Sequence, residues 1–189
     1  FEPDPSAYKS ASLKFREQNL NIDLFPYGLS NIEREGFIEF PENEQGSGST
    51  FLSDSGTYPI LLKRFDDVVP ELGSGGLLWL DVEGHAVKAL LGAKKMLPLL
   101  SLAKVEVQMH QMHRDRPADI FKVCKIMREA NLIPLYAPIH PGFFGDIVFV
   151  NSLHLSRIKR IYSVFLFLEL TLLHKVLYPA FGKPVTKKA

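Results

Sequence analysis

The chain has 189 residues, enough for one domain with a sizeable core and an appended element. Hydrophobic residues make up 46% and charged residues 23%, the balance of a folded soluble protein, and the single cysteine excludes an internal disulfide framework. The net charge of +1 conceals a split, because residues 152–189 hold seven Lys/Arg against one acid, Glu169, which from totals of 22 and 21 leaves 15 basic and 20 acidic residues in 1–151. The basic residues of that acidic body are scattered among acids, which argues against a nucleic-acid face.

The opening FEPDP reads as the end of a buried strand, Phe1, followed by a carboxylate, Glu2, at the mouth of a sheet. It is not expected to be a secretory leader. PSAYKSASLKFREQNL has a helical pattern started by Pro5 or Ser6, with Tyr8, Ala11, Leu13 and Phe15 on its apolar side. IDLFPYGLSN predicts a short buried strand running into a turn, GFIEF another strand, and ENEQGSGST a polar loop. YPILLKRFDDVVPEL joins an extended apolar run to an acidic turn.

GGLLWLDVEG is the clearest strand: Leu77 to Leu80 form a continuous apolar run, the pattern of a strand covered on both faces, with Trp79 and the methionines in the core. HAVKALLGAKKML predicts a helix ended by Pro98. LAKVEVQMH predicts a strand, ADIFKVCKIMREAN a helix with Cys124 as a core thiol, and LIPLYA and GDIVFVN two further strands. Alternation of this kind predicts an α/β fold with a mainly parallel sheet and helices on both faces.

Ligands of such sheets bind beyond the carboxyl ends of the strands. Those ends carry Glu2, then Gly28-Leu29-Ser30, then Asp81 and Glu83, then Glu106 to His110. The set is rich in carboxylates, and neither GxGxxG nor GxxxxGK[ST] is present, so a polar ligand without a large phosphate load is favoured. Asp81 and Glu83 suit orientation of a ligand, or else the cap and first turn of the following helix. His110 reads as a base or acceptor contact, or as a solvated loop histidine. Its spacing from His113 is too weak a signal for a metal site, and none is expected. Glu106 alternates with Val105 and Val107 and is read as functional or as simply facing outward.

Taken in order, FEPDP, YGLSN, GFIEF with GSGST, KRFDDVVP, LDVEGHAVKALLGA, VEVQMH and GDIVFVN resemble the segments of the FkbM-type S-adenosylmethionine-dependent methyltransferases across residues 1–151. The resemblance implies a Rossmann-like class I methyltransferase fold, incomplete at the N-terminus, because the family's first strand and Gly-rich turn would precede FEP. It implies that Glu2 takes the ribose hydroxyls of S-adenosylmethionine, with Pro3 and Asp4 near the adenine and Leu29 and Ser30 on its other side. Asp81, Glu83 and His110 are the implied catalytic candidates, with Asp81 also near the cofactor. Family sequences often carry a second Glu two residues after the Gly of Asp-Val-Glu-Gly, where this chain has Ala86. The implied activity is methylation of a hydroxyl on a sugar, lipid or small metabolite, by a cytoplasmic protein. The rival is a noncatalytic binding or scaffold domain that keeps the fold. A dehydrogenase is a third reading, weakened by the missing dinucleotide fingerprint.

Residues 152–189 lie beyond the resemblance and read as a basic, apolar helical extension. From Ile161 to Leu173 the only charge is Glu169, and the apolar residues surround the helix. The run is short for a span, which needs about 20 residues. Residues 157–178 are therefore expected to meet a membrane surface, the body of the protein or a second copy.

Overall fold

The structure, a computed structural model, describes residues 1–39, 51–53, 56, 58–69, 71, 73, 75–82, 84–108, 120–137 and 144–155. In chain order the elements are α1 (Pro5–Glu17), β1 (Gly28–Leu29), β2 (Arg34–Glu39), β3 (Phe51–Ser53), β4 (Tyr58–Lys63), α2 (Phe65–Val68), β5 (Gly76–Leu80), α3 (Ala86–Leu91), β6 (Leu100–Gln108), α4 (Ile120–Glu129), β7 (Leu132–Tyr136) and β8 (Phe144–Asn151). They fall into two compact units, residues 1–70 with 88–93, and residues 71–87 with 94–189.

In the first unit, α1 starts where its chemistry says it should. Asp4 is extended (ψ 118°), and its carboxylate accepts from the N–H groups of Ser6 at 2.7 Å and Ala7 at 3.4 Å. Pro5, which has no N–H to satisfy, takes the first turn. Lys14 and Arg16 sit in the last turn, where positive charge complements the helix dipole, and Asn19 at φ 51° ends the run. No residue of α1 is fully buried, and Tyr8, Ala11, Ser12 and Phe15 are half-buried.

The sheet of this unit has the order β1-β4-β2-β3. β1 runs parallel to β4, and β2 runs antiparallel to both β4 and β3. Ile38, Ile60 and Leu62 form a buried cluster on it, and Leu29 is also buried. The strand expected over IDLFPYGLSN is shorter and later than its apolar letters suggest. Ile22 is 49% exposed, and only Gly28 to Ser30 are buried. Phe1 is likewise not in a strand. It makes ring contacts with Phe25 and Phe65 instead, because a single bond, Glu2 N–H to the Phe25 carbonyl, does not make a ladder.

The second unit has the sheet order β5-β6-β8-β7. β5 and β6 are parallel, and β8 lies antiparallel between β6 and β7. α4 packs on β6 and β7, burying Ile120, Val123, Cys124, Ile126 and Met127. Ala103, Val105, Val107, Ile147, Phe149 and Leu132 are the buried side of the sheet. Asn151 pins the end of β8: its side-chain NH2 donates to the Pro98 and Leu100 carbonyls, and its Oδ1 accepts from Leu153 N–H.

Three expectations are corrected. The fold is α/β, but its sheets are mixed rather than mainly parallel: β2 and β8 run against their neighbours, so four of the six described pairings are antiparallel. Alternation of strand and helix signals a crossover but is blind to a later strand that slots back between two earlier ones. Second, β5 is not covered on both faces, and Trp79 is not core: Leu77 and Trp79 are 68% and 67% exposed. A continuous apolar run shows that side chains are apolar on both faces, not that both faces are covered. Third, α3 stops at Leu91 instead of reaching Pro98, which lies in a 3-10 turn over Leu97–Leu99. Cys124 is buried, as expected of a core thiol. Among the described residues no helix is long and apolar enough to cross a membrane. Residues 156–189, with the proposed contact region 157–178, lie outside the described residues.

Asp4→Ala should remove about 1 kcal/mol from α1, the usual worth of an N-cap carboxylate. Amide exchange in its first turn should then quicken by roughly fivefold, while exchange in β4 stays unchanged.

Candidate functional site

The segments that carry the site residues of the first unit meet at one end of β1. Pro3 lies against Gly28, where a Cβ would stand 3.7 Å from Pro3 Cβ but only 2.6 Å from Leu62 Cδ2. The Pro3 distance is an ordinary contact, so the tight neighbour of Gly28 is the Leu62 side chain. Glu2 is held by its own N–H on the Phe25 carbonyl at 3.0 Å. Its half-buried carboxylate accepts the Asp4 N–H on Oε1 at 2.9 Å. No hydrogen bond to Oε2 is found among the described residues, so this oxygen keeps its acceptor capacity.

The other members of this group are committed differently. Asp4 uses its carboxylate as the α1 cap. Leu29 and Ser30 are buried, and the Ser30 hydroxyl donates to Asn31 Oδ1 at 3.4 Å. Ser30 N–H donates to the Lys63 carbonyl at 2.9 Å, which carries the parallel pairing of β1 and β4 one residue further. Pro3 thus stands beside the first residue of β1 and Glu2 beside Phe25, while Leu29 and Ser30 are buried in and just after β1.

Two residues that sequence reasoning did not single out build the floor of this corner. Asp66, just beyond β4, has a side chain with no exposure, 3.7 Å from the Arg64 guanidinium. Its N–H donates to the Gly92 carbonyl at 3.0 Å. Gly92 lies so close to β1 that an added Cβ would fall 1.9 Å from the Ser30 carbonyl oxygen. This contact explains the end of α3: the Gly92 N–H still bonds back to the Lys88 and Ala89 carbonyls, while its own carbonyl turns to Asp66. The DD and LLGA stretches were the available signal, each unremarkable alone.

In the second unit Asp81 follows β5 directly and is exposed. A turn closed by His85 N–H on the Val82 carbonyl at 3.0 Å, with Gly84 at φ 81°, separates it from α3. Asp81 therefore does not cap that helix, whose first residue is Ala86, and its carboxylate faces solvent. Glu106 is half-buried in β6. Glu83, His110 and His113 lie outside the described residues. Among the described residues no three His, Cys, Asp or Glu side chains are grouped to hold a metal ion.

An open groove of about 760 Å³ runs beside α1, lined by Tyr8, Phe15, Arg16, Leu20, Ile22 and Leu24 among others. It includes neither Glu2 nor Ser30. No protein-family model, curated protein or solved structure matches the chain.

Gly92→Ala forces a methyl group into a backbone oxygen, which no side-chain rotation relieves. The expected cost is about 3 kcal/mol or more, at the upper end for overpacking. It should appear as a lower urea midpoint at unchanged slope. A midpoint equal to that of the parent would mean that Ser30 and Gly92 do not meet.

Proposed function

We propose that the chain is an S-adenosylmethionine-dependent methyltransferase domain that methylates a hydroxyl of a sugar, lipid or small metabolite. The observation that carries the reading is Glu2: a half-buried carboxylate beside the chain that enters β1, with Oε1 fixed by Asp4 N–H and Oε2 without a hydrogen bond among the described residues. A carboxylate so held suits adjacent ribose hydroxyls, which need two acceptor positions in a fixed relation. The strand order β5-β6-β8-β7, with β8 returning antiparallel between β6 and β7, supports a Rossmann-like class I methyltransferase fold.

Bound S-adenosylmethionine supplies the transferable methyl group. The work of the protein is then alignment of the acceptor and removal of its proton. Asp81, exposed at the end of β5, is the carboxylate proposed to orient the acceptor or cofactor, with Glu83 and His110 as its partners in that role. Pro3 and Asp4 are proposed beside the adenine, and Leu29 and Ser30 on its other side. The protein is proposed to be cytoplasmic, with 157–178 as a contact region.

Calorimetric titration of S-adenosylhomocysteine into the natural protein tests this. Binding should weaken by about tenfold or more in Glu2→Ala, since a hydrogen bond to a charged group contributes about 1.5–3 kcal/mol. Failure of the parent to bind would sink the enzyme reading and favour the noncatalytic domain.

A further inference from the structure

The groove beside α1 has two walls, the helix itself and the segment 19–25 that returns along it. Both ends of that return are anchored. Leu20 N–H donates to the Phe15 carbonyl at 2.9 Å, and the Phe25 carbonyl accepts from Glu2 N–H at 3.0 Å. The Phe25 ring also stacks on Phe1, with centroids 5.0 Å apart. Walls held in this way leave a ligand little ordering of the chain to offset. Exposed Leu20 and Ile22, with half-buried Phe15 and Leu24, give the groove its apolar surface. Two charged side chains line it, Arg16 from α1 and Asp23 from the return. Both are exposed, and among the described residues neither is in an ion pair, with the other or with a third group. The N–H groups of Asn21, Asp23 and Leu24 likewise make no hydrogen bond among the described residues.

We propose that this groove binds a short apolar peptide with free termini, its carboxylate on Arg16 and its ammonium on Asp23. Opposite charges that line one groove without closing on each other complement a ligand that carries its own separated pair. A guanidinium grips a carboxylate through two parallel N–H bonds, and a carboxylate accepts from an ammonium. Asp23 disfavours a polyanion and Arg16 a polycation, so a zwitterion is the chemistry that suits both. The apolar lining takes the peptide side chains, whose removal from water drives the association. The N–H groups of the return segment meet main-chain carbonyls, the usual source of affinity for an extended peptide. The groove, about 760 Å³, is of the size of small-ligand sites, which run from about 300 to 1,000 Å³.

The test is titration of trileucine into the nitrogen-15-labelled natural protein, followed by amide NMR. Shifts should concentrate in residues 12–25, with Asn21, Asp23 and Leu24 among the largest. Amidating the peptide's carboxylate, or acetylating its amine, should each weaken binding by about fivefold, the upper range for an exposed ion pair. In Arg16→Gln the free and amidated peptides should bind equally, and in Asp23→Asn the free and acetylated ones. Both side chains are exposed, so neither variant should change the urea midpoint. The capping comparison in the parent protein decides the matter even if a variant folds poorly. Absence of shifts in residues 12–25 overturns the proposal. So does a free peptide that binds no better than its doubly capped form, which identifies apolar adhesion alone.

Discussion

The first unit depends on one close approach, the Gly92 backbone against the Ser30 carbonyl oxygen. Only a residue without a Cβ permits it. Three distant stretches are joined there: the end of β1 at Ser30, the residues after β4 at Asp66, and the turn after α3 at Gly92. The Ser30 N–H on the Lys63 carbonyl and the Asp66 N–H on the Gly92 carbonyl complete the corner. Because these are backbone contacts, they hold the strand ends in place whatever side chains project from them.

The carboxylates of this chain show how position decides what a residue does. Glu2 and Asp4 stand two residues apart, yet Asp4 Oδ1 caps the first turn of α1 while Glu2 Oε1 holds the Asp4 N–H. Asp66 and Asp67 are adjacent, yet the Asp66 side chain is fully buried while that of Asp67 is about half exposed. Asp81 is neither cap nor buried partner and faces solvent at a strand end. A ligand-binding role asks for a carboxylate oxygen that local structure leaves unbonded, and the functional proposal rests on Glu2 and Asp81.

The two sides of the second sheet make a related point about burial. Val105, Val107, Ile147 and Phe149 are enclosed, and Leu77 and Trp79 are open, although all are apolar and all lie in strands. Apolar area on an uncovered face is stabilised only when something is laid upon it.

Much of the local structure was legible in the sequence. The Asp4-Pro5 start of α1, the strands β2, β4, β6, β7 and β8, and the core face of α4 with Cys124 all follow from capping chemistry, proline geometry and apolar periodicity, which act within a few residues. Ser30 and Asp81 do stand where strands stop, whereas Glu2 follows no strand. What only the tertiary structure decided depends on partners far away in the chain. Gly92 ends α3 because of Ser30, β8 makes the sheet mixed because it inserts between β6 and β7, and Trp79 is exposed because no described element lies over it. Periodicity states which side chains are apolar. It cannot state which neighbour, some tens of residues distant, will arrive to bury them.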